Sequence, residues 1–264
     1  MPEPARGQGL TVLRTFAGGT LFGTRSGDGD PRLLALHGWA RTHRDFDGVL
    51  RPVDGPELAA IAVDLPGFGA TPPPSEPWGS ADYAACVDGL LEEMTAPVVL
   101  LGHSFGGRVA VHLAATRPAA VSALVLCGVP LLRLGPPRRP ALKYRAVRAA
   151  HRAGLLGEER MERARRRFGS ADYAAASGVM RGVHGRVVAE TYETQLDAIE
   201  PPVTLVWGDD DTEVPLGVAR AALTRLRDGR CLRAELVVLP GAGHLVPLTS
   251  PAALRQAVER LLPC

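Results

Sequence analysis

Short apolar runs alternate with longer amphipathic segments along most of the chain. The middle runs are nearly continuous in alanine, valine, isoleucine and leucine, a pattern typical of strands buried on both faces of a parallel sheet. The predicted strands lie within the stretches LTVLRTF, GTLFGTRS, RLLALHG, LAAIAVDLPG, APVVLLGHS, VSALVLCG, PVTLVWGDDD and AELVVLPGAGH. We expect the first two of them to form a hairpin.

The segments between these runs predict helices at Ala81–Met94, Phe105–Thr116, Leu216–Leu226 and Pro251–Leu262. Regular alternation of strand and helix is typical of right-handed α/β units, in which helices cover both faces of the sheet. The pattern therefore predicts an α/β fold with a mostly parallel sheet of about eight strands.

The segment 131–200 interrupts this alternation, because it contains no convincing strand and consists of helix-prone sequence broken by glycine and proline. It carries 14 lysines and arginines against 8 aspartates and glutamates, a net charge of +6, whereas the rest of the chain has 16 against 20 and sums to −4. We interpret it as a helical cap over the carboxyl edge of the sheet, inserted into a core made of 1–130 and 201–264. The GPPRRP stretch at 135–140 is the predicted hinge at its start.

Composition excludes several classes of protein. Hydrophobic residues make up 46% and charged residues 22%, the ordinary balance of a globular enzyme. No stretch approaches the ~20 apolar residues of a membrane helix, and the first residues lack an apolar core of signal-peptide length. The four cysteines have no CxxC spacing: Cys86, Cys127, Cys231 and Cys264. We therefore expect a cytoplasmic protein without stable membrane anchoring, with idle thiols and neither a metal site nor an organic cofactor.

The candidate chemistry begins with residues 102–107, GHSFGG, between an apolar run and a predicted helix. Residues that act on ligands in open α/β sheets lie just beyond the carboxyl ends of the strands. A G-x-S-x-G motif in this strand–turn–helix context holds a serine on a sharp turn with its hydroxyl exposed. Gly102 and Gly106 flank Ser104 where larger side chains would collide. Ser104 is therefore the candidate nucleophile.

A serine hydroxyl needs a general base, and the base needs an orienting acid. GAGH, after the last apolar run, supplies His244, and WGDDDTEVP, after the preceding run, supplies Asp209, Asp210 and Asp211. Serine, acid and histidine thus follow one another along the chain, each at the end of a predicted strand. The residues alone leave open which of the three aspartates is the acid.

This arrangement resembles the α/β-hydrolase superfamily, in particular its capped, cofactor-free esterase and hydrolase branch, over essentially the whole chain outside the cap. The family pattern W-G-x-x-D-x-x-x-P matches WGDDDTEVP at 207–215 and implies that Asp211 is the acid. The family's H-G motif matches LHGWA, which implies that the backbone N–H groups of Trp39 and Phe105 form an oxyanion hole. DLPGFGAT at 64–71 resembles the family's D-x-P-G-x-G turn and supports the fold rather than the chemistry.

The histidines near these motifs are interpreted as structural supports of the candidate site. His37 and Gly38 in LHGWA, and His103 before the serine, are predicted to support the functional backbone rather than to act as bases. The other histidines have no motif context, so surface or core positions are their default: His43, His112, His151 and His184. His184, in RGVHGR of the cap, could instead face a substrate, and we predict that it does not.

The resemblance implies a serine hydrolase that cleaves a carboxylic ester, thioester or related acyl bond in a small-molecule substrate. A C–C bond hydrolase, an amidase or lactonase, and a perhydrolase use the same triad and stay open, as does a receptor built on a hydrolase scaffold. Ser104 disfavours the superfamily's dehalogenases and epoxide hydrolases, which use an aspartate nucleophile.

The basic residues of the cap bear on possible partners. Charges of both signs at helical spacing favour solvated helix faces, and attraction of an anionic or carrier-bound substrate is the minority alternative. Nucleic-acid binding is not predicted, because no recognition module or interleaved aromatic residues accompany the basic residues. The oligomeric state cannot be read from the sequence.

Overall fold

The computed structural model describes residues 12–95, 97–135, 142–168 and 170–263. Its sheet contains β1 (Arg14–Phe16), β2 (Leu21–Ser26), β3 (Leu33–Leu36), β4 (Ala60–Asp64), β5 (Val98–His103), β6 (Val121–Cys127), β7 (Val203–Gly208) and β8 (Ala234–Leu239). Their order across the sheet is β1-β2-β4-β3-β5-β6-β7-β8. Strand β2 runs antiparallel to β1 and β4, and β3 to β8 are mutually parallel. Every predicted run forms a strand, and the first two form the predicted hairpin.

The helices of the described residues are α1 (Asp47–Leu50), α2 (Ser80–Glu93), α3 (Phe105–Thr116), α4 (Leu142–Arg152), α5 (Glu158–Phe168), α6 (Ala171–Ala175), α7 (Gly178–Val187), α8 (Glu193–Ala198), α9 (Leu216–Asp228), α10 (Val246–Thr249) and α11 (Pro251–Glu259). Helices α2, α3, α9 and α11 correspond to the four predicted ones. The predicted end of the last helix at Leu262 was wrong by three residues, because the chain tightens there and the Leu261 N–H donates to the Val258 carbonyl. Within the described ranges, no helix combines the length and apolar character that crossing a bilayer requires.

The core lies on both faces of the sheet. Leu34 and Leu36 of β3 belong to a buried cluster that includes side chains of α2, α3 and α9. Leu33 and Ala35, which alternate with them, belong to a second cluster that includes side chains of α1 and α11. Since successive strand residues point to opposite faces, a strand covered on both sides must be apolar throughout. This explains the continuous apolar runs of the middle strands.

Between β6 and β7 the described residues form helices α4 to α8 and no strand, as the composition of this segment predicts. Helix α7 covers the carboxyl edge of the sheet: a Cβ built on Gly67, beyond β4, would lie 2.3 Å from Met180 Sδ. Tyr192 and Leu196, farther along, are buried in the core and anchor the end of the insertion. The domain limits at 130 and 201 stay predictions. Of the predicted hinge at 135–140, only Gly135 is among the described residues. Cys264 also lies outside them.

Candidate active site

Ser104 occupies a sharp turn between β5 and α3. Its backbone has φ +47° and ψ −109°, a conformation that residues other than glycine rarely adopt. Such a backbone costs on the order of 1–3 kcal/mol and persists where the surrounding structure enforces it. Here the Ser104 N–H donates to the Cys127 carbonyl at the end of β6, at 2.9 Å. Functional sites are where this kind of strain is commonly found.

Close backbone contacts explain the two glycines that flank this turn. A Cβ built on Gly106 would lie 2.1 Å from the Leu36 carbonyl oxygen, and one built on Gly102 would lie 2.5 Å from Gly107 Cα. No real Cβ fits at such distances, so both positions require glycine. The two glycines let α3 begin directly against the ends of β3 and β5, and this packing sets the position of Ser104.

The same packing places the two candidate oxyanion-hole residues side by side. The Gly106 N–H donates to the His37 carbonyl at 2.9 Å, which joins the start of α3 to the loop after β3. Trp39 in that loop and Phe105 at the start of α3 meet edge to face, with ring centroids 5.6 Å apart. Phe68 lies against both rings, at 5.0 and 6.0 Å. The side chains of the two residues that the resemblance assigns to an oxyanion hole therefore form one aromatic cluster with Phe68.

His244 and Asp211 form a hydrogen-bonded pair. His244 Nδ1 donates to Asp211 Oδ2 at 2.9 Å. The other carboxylate oxygen, Oδ1, accepts the backbone N–H groups of Glu213 at 2.9 Å and Val214 at 2.8 Å. Asp211 is buried, with 4% of its surface exposed. The carboxylate is thus held by three donors and orients the imidazole, leaving Nε2 to face outward from the pair.

The neighbouring aspartates have different partners. Asp209 accepts the Gly241 N–H at 2.7 Å, and the side chain of Asp210 makes no hydrogen bond within the described ranges. Of the three consecutive aspartates, Asp211 is the one whose carboxylate contacts His244. The structure therefore places at the histidine the same aspartate that the family pattern indicates.

The turn at Ser104 and the histidine meet at the end of β6. Cys127 accepts the Ser104 N–H, and a Cβ built on the next residue, Gly128, would lie 2.9 Å from the His244 ring. The ring centroid of His103, which precedes the serine, is 5.0 Å from that of His244. No hydrogen bond joins the Ser104 and His244 side chains among the residues described. Catalytic hydrogen bonds are often long before substrate binds, so the lack of this hydrogen bond is compatible with a catalytic pair of Ser104 and His244.

A second carboxylate faces the imidazole. Glu213 Oε2 lies 3.6 Å from His244 Nε2, and 67% of the Glu213 side chain is exposed. Burial lowers the pKa of His244, but the hydrogen bond and charge of Asp211, together with the charges of Glu213 and Asp172, outweigh burial and raise it above its ordinary value. The predicted role of His244 as a general base requires a neutral imidazole, so we expect activity to be lost as the pH falls through this raised pKa.

Replacement of Glu213 by glutamine should therefore move the acidic limb of the kcat/KM–pH profile to lower pH. Removing one of the charges that stabilise the imidazolium makes the neutral base available at more acidic pH. Because the Glu213 carboxylate is largely exposed and therefore screened by solvent, we expect only about a twofold gain in kcat/KM on the acidic limb. Asp210→Asn, which removes a nearby charge that does not contact the ring, is the control. An acidic limb that stays in place or moves to higher pH in Glu213→Gln would contradict this role.

His37 and His103 lie where supports of the backbone are expected. His37 accepts the Leu65 N–H on Nε2 at 2.9 Å and contacts the Gly38 carbonyl through Nδ1 at 2.7 Å. His103 Nε2 donates to the His244 carbonyl at 3.1 Å. Burial lowers the pKa of each of these histidines to about 4, and for His103 the adjacent His244 adds to this. Both rings are therefore neutral near pH 7 and suited to holding neighbouring loops in place.

A buried pair between His43 and Asp64 was missed by the sequence interpretation. Asp64 Oδ1 accepts both the backbone N–H and the ring Nδ1 of His43 at 2.8 Å, and Oδ2 accepts the Ala70 N–H at 2.9 Å. Burial raises the pKa of Asp64, but these hydrogen bonds outweigh it and the net pKa is lowered. A carboxylate at the last position of an otherwise apolar, buried strand was the available signal. The pair ties the loop after β3 to the D-x-P-G-x-G turn.

The described residues contain neither a metal-binding cluster nor an activated thiol. In the described part of the chain, no three histidine, cysteine, aspartate or glutamate side chains are arranged to hold a metal ion. Cys86, Cys127 and Cys231 are unpaired thiols, and burial raises the pKa of each. Thiols whose pKa is raised are poor nucleophiles at neutral pH, which leaves Ser104 as the candidate nucleophile.

Comparison with known proteins gives a family and several relatives. Residues 33–257 match the model of the alpha/beta hydrolase family. A pimeloyl-[acyl-carrier protein] methyl ester esterase of Aromatoleum aromaticum is 29% identical over 256 residues, covering 87% of this chain and 97% of that protein. Lipase LipV of Mycobacterium tuberculosis is 40% identical over 99 residues, but this match spans only 37% of each chain.

Solved structures share the architecture. CarC, a serine hydrolase of carbazole degradation, superimposes with a TM-score of 0.66 at 19% identity, over 95% of this chain and 98% of that one. A thioesterase domain from the curacin biosynthetic pathway gives a TM-score of 0.66 at 22% identity, over 94% and 98%. The predicted α/β-hydrolase fold, with its mostly parallel eight-stranded sheet, is thereby confirmed. The chain belongs to the alpha/beta hydrolase family.

Proposed function

We propose that the protein is a serine hydrolase that cleaves a carboxylic ester, thioester or related acyl bond through an acyl-enzyme on Ser104. One observation carries this proposal. The strained Ser104 turn, which follows β5, and the hydrogen-bonded pair of His244 and Asp211 both pack against the residues at the end of β6. A nucleophile, a base and an anchored acid at one edge of a sheet are the minimum that acyl transfer by serine requires.

In the proposed first step, Ser104 Oγ attacks the acyl carbonyl while His244 Nε2 accepts its proton. Asp211 holds the imidazole in the required tautomer and stabilises its charged form. The backbone N–H groups of Trp39 and Phe105 donate to the oxyanion of the tetrahedral intermediate, each worth roughly 3–4 kcal/mol. The intermediate collapses as His244 returns the proton to the leaving group, which departs as an alcohol or thiol.

In the second step, water gives a proton to His244 and attacks the acyl carbonyl carbon. The bond to Ser104 Oγ breaks, the serine regains its proton from His244, and the carboxylic acid leaves. Every proton in this cycle moves through His244. The hydrogen bond from His244 Nδ1 to Asp211, whose carboxylate two backbone N–H groups hold in place, suits the imidazole to that repeated use.

Ester hydrolysis is favoured over amide or C–C cleavage by the relatives, whose names describe an ester hydrolase and a lipase. A series of p-nitrophenyl esters from acetate to decanoate tests this. We expect turnover with an optimum at one chain length, and at least about a hundredfold slower turnover of the matching p-nitroanilides, whose leaving group is poorer. Turnover of the anilides at rates similar to the esters would favour the amidase alternative.

Basic side chains on the cap bear on whether the acyl substrate is free or attached to a carrier protein. Helices α4 and α5 carry a set of basic side chains that form no ion pair with a carboxylate within the described residues, here termed the basic cap face: Lys143, Arg145, Arg148, Arg152, Arg160, Arg163 and Arg167. The Aromatoleum aromaticum relative acts, by its name, on an ester attached to an acyl-carrier protein. As a second, more specific candidate we propose an acyl ester carried by an acidic protein, which the positive field of this face would attract.

Charge reversal tests the carrier-bound substrate. Arg160→Glu, Arg163→Glu and Arg167→Glu together should lower kcat/KM for an acyl ester on an acyl-carrier protein by about tenfold or more at low salt, because attraction speeds encounter. Hydrolysis of the free methyl ester should not change. Arg230→Glu with Arg233→Glu, exposed basic residues outside the cap, is the control. Equal losses for the free and carrier-bound esters, or no loss for either, would contradict this candidate.

A further inference from the structure

One histidine of the cap lies against the candidate oxyanion hole. His184 of α7 is buried, with 7% of its surface exposed. Its ring meets Trp39 edge to face at a centroid distance of 5.0 Å, and Tyr173 lies 5.9 Å away on the cap side. Trp39 in turn packs against Phe105. In the proposed mechanism the acyl carbonyl oxygen binds the N–H groups of Trp39 and Phe105, so His184 packs on the side chain of one of the two residues that would hold this carbonyl.

Neither ring nitrogen of His184 has a hydrogen-bond partner among the residues the structure describes, and Nε2, unlike Nδ1, is not fully enclosed, so Nε2 is the atom that a ligand could reach. The other buried histidines differ: His37, His43 and His103 each have at least one ring nitrogen in a hydrogen bond. Buried polar atoms are nearly always hydrogen-bonded. His103 Nδ1 also lacks a partner, but the His103 ring is held through Nε2, whereas the His184 ring makes no hydrogen bond and could take a partner from outside the protein chain. A bound substrate is such a partner for a side chain next to the reacting groups.

The surroundings of His184 define the chemistry it would recognise. Its neighbours on the inner side of α7 are apolar: Met180, Val183 and Val187. A plain alkyl chain would pack equally well against another apolar residue here, and the imidazole would add nothing. Burial lowers the pKa of His184, although the charge of Asp172 opposes this, so the ring is neutral near pH 7. A neutral imidazole offers one donor and one acceptor, which suits an uncharged oxygen.

We propose that His184 hydrogen-bonds an uncharged oxygen, a ketone or hydroxyl, on the acyl chain of the substrate and so makes the enzyme selective for oxygenated over plain acyl groups. This proposal rests on the proposed function. It assigns to the cap a specific role in recognising the acyl group, through one neutral polar side chain packed on Trp39. It also revises the sequence prediction that His184 does not face the substrate.

Two sets of p-nitrophenyl esters test this role: straight-chain acyl esters, and matched esters in which a ketone replaces one methylene at successive positions. For at least one ketone position, wild-type kcat/KM should exceed that of the plain ester by about five- to tenfold, the usual effect of one neutral hydrogen bond. His184→Phe should lower the ratio of keto-ester to plain-ester kcat/KM by about five- to tenfold, because it removes the hydrogen bond to the ketone. His184→Gln should retain part of the preference. His151→Phe is the control, because both ring nitrogens of His151 have partners on the cap surface.

Two outcomes overturn the proposal. Either His184→Phe leaves the ratio of keto to plain ester unchanged at every position, or plain and keto esters lose activity together, which would indicate a packing role alone. A melting measurement on Ser104→Ala separates this proposal from the proposed function, because it needs no turnover. Keto methyl esters should raise Tm more than plain ones, and the difference should vanish in Ser104→Ala with His184→Phe. Equal shifts refute the role of His184, whereas absent turnover by the wild type refutes ester hydrolysis alone.

Discussion

Ser104→Ala should lower kcat for p-nitrophenyl esters by roughly 10⁵- to 10⁶-fold while leaving the fold intact. The methyl group cannot attack a carbonyl, and His244 and the oxyanion hole can then give only the small residual rate that polarisation of the substrate allows. Steady-state kinetics on freshly purified protein measure the loss, and thermal melting checks the fold. Because alanine occupies the same strained turn, Tm should change by no more than a few degrees.

Ser75→Ala is the matched control, since Ser75 is exposed in the proline-rich loop that precedes α2. It should retain full activity. If Ser104→Ala kept activity within tenfold of the wild type, another nucleophile would be at work and the acyl-enzyme on Ser104 would be wrong.

Asp211→Asn should lower kcat by about 10⁴-fold. The amide can donate to the imidazole and thereby favour the tautomer in which Nε2 carries the proton, so His244 can no longer accept one from Ser104. The loss of charge also removes the stabilisation of the imidazolium that forms during attack. The backbone N–H groups of Glu213 and Val214 still find an acceptor in the asparagine oxygen, so the loop should keep its structure.

Asp210→Asn tests the assignment directly, because this neighbour has the same side chain and does not contact His244. It should change kcat by less than about threefold, as expected for a surface charge. A loss in Asp210→Asn equal to that in Asp211→Asn would show that the whole acidic run acts on the histidine, or that a different register holds in solution.

The sequence predicts the elements that carry the site, because strand burial and glycine requirements are local. Continuous apolar runs indicate the strands. Ser104 and His244 could be predicted as site residues because each comes just after one of these runs. The choice of Asp211 among three aspartates needed the family pattern, since all three follow the same strand. The structure places Asp211 against His244 through a loop whose backbone donates to the other carboxylate oxygen.

Contacts between distant loops could not be predicted in this way. The pair of His43 with Asp64 and the approach of Glu213 to His244 join side chains whose sequence spacing has no periodic meaning. The position of His184 on Trp39 depends on how the cap packs over the sheet. Helical periodicity indicates which face of α7 is apolar, but it does not show which loop that face covers. The part of the site to which we assign substrate selectivity therefore depends on tertiary packing, which the sequence pattern does not reveal.

The most direct test of the central claim is covalent labelling with a fluorophosphonate, followed by mass spectrometry of the digested protein. The probe phosphonylates a serine that a neighbouring base activates, and it requires no knowledge of the natural substrate. The account predicts one adduct, on the peptide that contains Ser104, and no labelling of Ser104→Ala or, on the same time scale, of Asp211→Asn. An adduct on another residue, or an unlabelled wild-type protein, would contradict it.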